Sequence, residues 1–339
     1  MPGEFDFIHR IRRDAQRKAA SLTLGIGDDT AILAELTGRE TLVTTDLLVE
    51  DVHFRLDYSS LYSPGHKTLA VSLSDIAAMG AEPRFALLSL AIPPSLIDSP
   101  QWADFFAGYF ALADQHGVTL IGGDTSASPG PLVIDSIVMG WCAAGRAVRR
   151  GGARVGDAIY VTGALGASAS GLELLRRGER LAENEAENGP AQRALLAHLR
   201  PQPRVSFGRA AAGLPHAMMD ISDGLAGDLP HICAESGVGA ILEYEAIPVA
   251  PETRLVTDDP ARAMALAISG GEDYELLLTA DPLNEEQLLN IAADCATPLT
   301  RIGAIVATDP AVCVNPVLWR RAGALTPLER SGYNHFART

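Results

Sequence analysis

The chain has 339 residues, enough for about two domains, and 47% hydrophobic against 20% charged residues describes a globular protein with ample core. A formal charge of −15 with no run of Lys or Arg argues against nucleic-acid partners and anionic membrane surfaces. Residues 1–13 lack a signal-peptide core and the longest uncharged apolar run, 85–97, is too short to span a bilayer. The cysteines Cys142, Cys233, Cys295 and Cys313 form no Cys-x-x-Cys pair, which predicts reduced thiols in a cytoplasmic protein.

In chain order, residues 5–19 carry Phe5, Ile8 and Ile11 on one helical stripe. Gly25-Ile26-Gly27-Asp28-Asp29 reads as a glycine-rich turn ending in two carboxylates, and residues 41–45 as a short strand ending at Asp46. Ser63-Pro64 opens a helix to about Gly80, with Leu69, Leu73, Ile76 and Ala77 on its core face. Asp75 inside that helix is either paired, metal-bound or turned to solvent. Residues 85–92 predict a strand, Ser99-Pro100 a helix to about Gly117, and 118–121 a strand running into a turn at Gly122-Gly123-Asp124. Residues 132–141 predict another strand. The segment 145–157 is rich in Gly and Arg and marks a domain boundary, with Arg146, Arg149, Arg150 and Arg154 either meeting phosphate or solvated.

The second half predicts a strand at 158–162, a helix at 165–177 and an acidic loop at 181–190, and residues 217–219 lead into Asp220-Ile221-Ser222-Asp223-Gly224. A helix follows to about Ser236. Asp220 and Asp223 are three residues apart and would share a face at a helix start; alternatively Asp223 is an N-cap. Residues 239–244, 272–279, 299–306 and 311–314 predict strands and 281–294 a helix. Residues 332–336 form an aromatic tail. The irregular mixing of strands and helices predicts α+β (mixed α/β) domains, residues 1–150 and 151–339.

Five stretches place Gly, Ser or Thr beside Asp: those at Asp28, Thr44-Thr45-Asp46, Asp124, Asp220 to Asp223, and Ser269-Gly270-Gly271-Glu272-Asp273. Gly, Ser, Thr and Asp are common turn residues. Repetition beside apolar runs favours a ligand instead: glycine admits close approach of backbone N–H groups, and carboxylates hold hard cations that bridge to phosphate. The chain has no Gly-x-x-x-x-Gly-Lys-Ser/Thr, and Gly65-His66-Lys67-Thr68 sits in a helix start. Gly25-Ile26-Gly27 lacks the third glycine of a dinucleotide fingerprint. Protein-kinase, Gly-x-Ser-x-Gly and His-Glu-x-x-His signatures are absent. A phosphate enzyme of this kind neutralises charge mainly with metal ions.

Taken in order, these stretches, with Ser74-Asp75-Ile76-Ala77-Ala78-Met79-Gly80-Ala81-Glu82-Pro83, Ser269-Gly270-Gly271-Glu272-Asp273-Tyr274-Glu275-Leu276 and the terminal Gly-Tyr-x-His-Phe, resemble the thiamine-monophosphate kinase family. That family lies in the superfamily of aminoimidazole ribonucleotide synthetase and selenophosphate synthetase. The resemblance spans residues 5–336. It implies two domains, the N-terminal one binding ATP and Mg²⁺ and forming a homodimer through its sheet, the C-terminal one completing an active-site cleft. It implies transfer of the γ-phosphoryl group of ATP to thiamine phosphate. Metal ligands map onto Asp28, Thr44, Thr45, Asp46, Asp75, Asp124, Asp220 and Asp223. Nucleotide contacts map onto Gly123, Asp124, Arg150 and Ser222, and thiamine-side contacts onto His53, Glu272 and Tyr333. Thr44 stands where many members carry Ser, and Tyr333 where some carry Trp.

A phosphate monoester has a second pKa of about 6, so the acceptor is already an anion and needs no general base. Charge repulsion is the obstacle, and Mg²⁺ held by aspartates answers it. The alternatives are another ATP-dependent enzyme of the superfamily, a metal-dependent phosphatase, and a non-catalytic nucleotide- or cation-binding protein.

Overall fold

The computed structural model describes residues 22–24, 32–33, 37–182, 189–308 and 317–329. The expected helix at 5–19, the turn with Asp28, the strand at 311–314 and the tail with Tyr333 lie outside them. The chain divides into two compact units: one runs to Ile76 and includes Ala81–Gly145, and the other holds Ala77–Gly80 and continues from Arg146.

In the first unit, β1 (Leu22–Leu24) pairs with β2 (Ile32–Leu33). The main sheet has the order β3-β6-β4-β5, from β3 (Arg39–Val49), β4 (Glu82–Ile92), β5 (Thr119–Ala127) and β6 (Val133–Ala143). Only β4 and β5 run parallel. Two helices, α1 (Tyr62–Ala78) and α2 (Trp102–His116), carry the apolar residues that bury this unit's core, among them Leu69, Leu73, Ile76, Phe105 and Tyr109. They cross at backbone contact. A Cβ on Gly65 would lie 2.0 Å from the Phe105 carbonyl oxygen, and one on Gly108 2.1 Å from that of Tyr62. Gly117 ends α2 in the left-handed conformation glycine tolerates.

Alternation in β3 and β6 points Leu48, Ile134, Ser136 and Val138 inward, and all four are buried. Val43 and Leu47, on the opposite face, are 63% and 57% exposed. Behind them Phe85, Ile121 and Trp141 form a small cluster with Leu87 and Met139.

The second unit has a sheet of order β13-β12-β9-β11-β7-β10-β8. Its strands are β7 (Ala158–Thr162), β8 (Pro215–Ile221), β9 (Gly239–Glu243), β10 (Glu275–Ala280), β11 (Leu299–Val306), β12 (Val317–Arg321) and β13 (Ala324–Pro327). β7 and β10 are buried along their whole length, as strands covered on both faces must be. The helices are α3 (Ala167–Arg176), α4 (Pro190–Leu199), α5 (Val205–Ala211), α6 (Leu225–Ser236), α7 (Pro260–Ser269) and α8 (Glu285–Asp294). Leu225, Leu229 and Ile232 of α6 and Met264, Ala267 and Ile268 of α7 share a core with Ile159, Val161, Met219, Ile221 and Leu277.

Both sheets are mixed and flanked by helices, so the α+β class expected from the sequence is what the chain adopts. Three local expectations are corrected. Asp46 lies inside β3, because the cross-strand ladder to β6 continues to Val49. Gly122-Gly123-Asp124 belongs to strand β5 and makes no turn, because it stays paired with Leu87, Leu88 and Ser89 of β4. The region expected as strand from residue 272 begins at Glu275, since Glu272 and Tyr274 take positive φ. Helices α4, α5 and α7 were not anticipated.

Candidate active site

In the first unit, a 2.0-residue period sends Thr44 and Asp46 to one face of β3 and Thr45 to the other. Ser72 and Asp75, three apart on α1, meet the first pair. The Thr44 hydroxyl donates to Asp75 Oδ2, and Ser72 Oγ donates to Asp46 Oδ2 at 2.7 Å and to the Ser136 carbonyl at 3.2 Å. Asp75 is thus half-buried and hydrogen-bonded. The Thr45 hydroxyl donates instead to Asp135 at 2.6 Å. Burial pushes the Asp46 carboxyl up to about 6, the nearby charges of Asp75 and Asp135 push the same way, and the Ser72 hydroxyl opposes them.

Among the described residues no three His, Cys, Asp or Glu side chains by themselves enclose a metal ion. Asp46 and Asp75 nonetheless fit Mg²⁺ chemically. Their donors are all oxygen, they repel one another when ionised, and Mg²⁺ takes one or two carboxylates while keeping several waters. Gly123 and Asp124 are exposed on β5. Register pairs Asp46 with Ser136, Leu88 and Gly123 in one row across the sheet, and puts Asp124 in the next row with Ser89, Asp135 and Leu47. Asp124 is therefore three strand spacings from Asp46, about 14 Å, and is not brought into its cluster.

His53 follows β3 in a tight turn, where its Nδ1 accepts from the Val49 N–H at 3.0 Å. A neutral ring then carries its proton on Nε2. Buried Lys67 donates to the His53 carbonyl at 3.0 Å, so the phosphate-loop look-alike around it serves the packing of this turn.

In the second unit, β8 ends in Asp220, which is buried, and Ile221. The expected shared helical face of Asp220 and Asp223 is not formed, because one ends a strand and the other precedes the helix. Asp223 is not the N-cap either; Gly224 holds that place at φ 95°. Asp228, in the first turn of α6, reaches back and accepts from the N–H groups of Ser222 at 3.1 Å and Asp223 at 3.0 Å. Burial pushes its carboxyl up to about 7, the Asp223 charge adds to this, and the two N–H groups and the charge of Arg150 counter it. Ser222 and Asp223 are thus tied to Asp228 through their main chains, and the charge of Arg150 reaches the same carboxylate, which the sequence reading passed over. An acid four residues after the loop glycine, in a first helical turn, was the available signal.

The segment Gly270 to Glu275 divides into one open and several structural residues. Glu272 N–H donates to the Ser222 carbonyl at 2.7 Å and Tyr274 N–H to that of Ile221 at 2.9 Å, which ties this loop to the Asp220 loop. Glu272 and Tyr274 take φ of 66° and 50°, a strain of order 1–3 kcal/mol each for non-glycine residues. Asp273 turns inward and accepts from the N–H groups of Gly166 at 2.7 Å and Ser168 at 3.1 Å, capping α3. Burial pushes its carboxyl up to about 7 against the pull of those donors. Glu275 is buried and accepts from Arg204 Nε at 2.6 Å, from Arg204 Nη2, and from the Thr162 hydroxyl at 2.6 Å. Glu272, with a quarter of its side chain exposed, faces outward.

Two family models cover the chain: AIR synthase related protein, N-terminal domain, over residues 27–142, and AIR synthase related protein, C-terminal domain, over 154–314. The class is therefore that of the AIR synthase related proteins. Thiamine-monophosphate kinase of Salmonella typhimurium is 38% identical over 336 residues, 99% of this chain and 98% of the relative. The crystal structure of thiamine-monophosphate kinase from Stenotrophomonas maltophilia K279a superposes with a TM-score of 0.82 at 38% identity, covering 94% of this chain and 96% of that one. A structure described as AaThiL complexed with AMPPCP and TMP matches with a TM-score of 0.76 at 29% identity, covering 98% and 97%. The chain belongs to the thiamine-monophosphate kinase family.

Proposed function

We propose that this chain transfers the γ-phosphoryl group of ATP to thiamine phosphate, giving thiamine diphosphate and ADP. The observation that carries the chemistry is the Asp46–Asp75 pair, two carboxylates oriented by Ser72 and Thr44 hydroxyls, whose mutual repulsion and burial a bound cation would offset. The near-complete match to a family member complexed with AMPPCP and TMP supports the choice of donor and acceptor. Asp28, Thr44, Thr45, Asp46 and Asp75 would hold Mg²⁺ in residues 1–150, Asp124 would do so apart from that cluster, and Asp220 and Asp223 would in residues 151–339. Bound there, Mg²⁺ screens the repulsion between the two phosphate anions.

Gly123, Asp124, Arg150 and Ser222 serve the nucleotide. Arg150 brings a fixed positive charge, and the Ser222 hydroxyl stands on a loop held by Asp228. His53, Glu272 and Tyr333 serve the acceptor: His53 as an Nε2–H donor, Glu272 as a carboxylate toward the cationic thiazolium or the aminopyrimidine, and Tyr333 as a stacking ring. No residue acts as general base. A second copy covers the open face of the first sheet, where Val43 and Leu47 are exposed. Cys142, Cys233 and Cys295 are not disulfide-bonded, which suits the reducing cytoplasm, and among the described residues no helix is long and apolar enough to cross a membrane.

The test is mass spectrometry of the products formed from ATP, Mg²⁺ and thiamine phosphate, with free thiamine and water-only controls. Thiamine diphosphate formed one-for-one with ADP is expected. Phosphate release without thiamine diphosphate overturns the assignment.

A further inference from the structure

The second unit contains a three-residue contact that the reading above does not use. His198, in the last turn of α4, is buried, and its Nδ1 lies 3.1 Å from Ser168 Oγ and 3.3 Å from Glu272 Oε2. Ser168 is itself buried, and its main-chain N–H is fixed by Asp273. The contact depends on Gly171: a Cβ there would lie 2.0 Å from the Ala194 carbonyl and 3.1 Å from His198 Cβ, so glycine lets α3 and α4 approach until the imidazole reaches Ser168.

The geometry is asymmetric. His198 exposes 6% of its side chain and Glu272 25%, so one end of the pair is anchored in protein and the other opens outward. Glu272 also holds φ 66° directly after Gly270 and Gly271. A backbone angle suited to glycine is kept by a glutamate although two glycines stand next to it. Persistent strain of this kind points to a side chain whose position matters. An ionised carboxylate only accepts hydrogen bonds, so in the tautomer that carries its proton on Nδ1, His198 donates toward Glu272 Oε2 from 3.3 Å and favours one rotamer of Glu272.

We propose that His198 is a positioning residue for the phosphoryl acceptor: it holds the Glu272 carboxylate in the rotamer that meets the cationic or amino-bearing ring of the acceptor, and so sets acceptor affinity without touching substrate. This rests on the assignment of thiamine phosphate as acceptor and of Glu272 as its contact. A glutamate side chain frozen before binding loses less rotamer entropy when the ligand arrives.

The experiment measures KM for thiamine phosphate and for ATP, and kcat, in wild type, His198→Leu, His198→Asn, Glu272→Gln and the His198→Leu/Glu272→Gln double variant, with thermal melts alongside. An asparagine amide nitrogen stands near the place of Nδ1 and restores the donor. His198→Leu is expected to raise acceptor KM about tenfold, the loss of one hydrogen bond to a charged group, while ATP KM stays within about twofold. His198→Asn is expected to recover most of that loss, and His198→Leu to add nothing once Glu272→Gln is present. If both substrates weaken together, if Asn fails to rescue a folded protein, or if the double variant is additive, His198 only packs α4 and the proposal falls. A wild type that forms no thiamine diphosphate overturns the acceptor assignment and this inference with it. A wild type that forms it while His198→Leu leaves acceptor KM unchanged overturns the role of His198 alone.

Discussion

Ser72 Oγ donates to Asp46 Oδ2 at 2.7 Å, joining the middle of α1 to the middle of β3 across 26 residues of sequence. The bond orients a carboxylate that burial and two neighbouring acids disfavour in its charged form. Asp46→Asn is expected to keep or raise the melting temperature, because it removes one of three clustered charges, and to lower transfer at least about 100-fold. Mg²⁺ is expected to raise the melting temperature of the wild type and much less that of the variant, as a ligand of the folded state should. Thermal melts with and without Mg²⁺ decide. A variant that melts well below wild type in both would make Asp46 a structural residue.

Gly163 and Glu275 make a sharper test of the scaffold. A Cβ on Gly163, at φ 60°, would lie 2.0 Å from Glu275 Oε1, within the bidentate ion pair to Arg204. Gly178, at φ 97°, has nothing within 4 Å of such a Cβ. Gly178→Ala is expected to cost about 1–2 kcal/mol for the left-handed backbone alone. Gly163→Ala adds displacement of a buried, paired carboxylate, for a total of roughly 3–5 kcal/mol. Urea denaturation of the two variants measures the difference, and equal losses would show that Glu275 moves aside at little cost.

The pH dependence of stability reports Asp273. Its folded pKa, about 7, stands above the unfolded value near 3.8, so the folded state keeps a proton that the unfolded state releases. Its contribution is greatest below about pH 4 and is lost as pH rises to about 7. Asp273→Ala leaves the N–H groups of Gly166 and Ser168 without their acceptor, a loss of about 1–3 kcal/mol. The deficit of the variant relative to wild type should narrow across pH 4–7 in chemical-denaturation curves. A constant deficit would mean that Asp273 is ionised in the fold throughout.

The exposed pair Val43 and Leu47 predicts assembly. Replacing both with lysine puts two charges on the open sheet face, away from the side that carries Thr44 and Asp46. Light scattering after gel filtration should show a dimer for the wild type and a monomer for the variant, with unchanged far-UV circular dichroism. A wild-type monomer would remove the second copy from the account.

Local pattern was enough to define the strands at β7 and β11, whose limits the apolar runs mark directly, and the helices α1, α2 and α6, which have proline or glycine at their ends and a regular apolar stripe. It also marked the places where glycine and carboxylate meet. It did not predict α4, because its first residue, Pro190, follows directly on an acidic stretch and reads as the end of that loop, whereas the chain uses the proline to start a helix.

Tertiary structure alone decided what each carboxylate does. Alternation along β3 separates Thr45 from its neighbours Thr44 and Asp46, although all three look equivalent in sequence. In Glu272-Asp273-Tyr274-Glu275 one carboxylate opens outward, one caps a helix and one is buried against Arg204. Their partners lie far away along the chain, 31 residues for Thr44 and Asp75, 71 for Arg204 and Glu275, 113 for Thr162 and Glu275. A buried charge must find a partner wherever packing brings one, and the packing of distant segments is not written in the residues beside it.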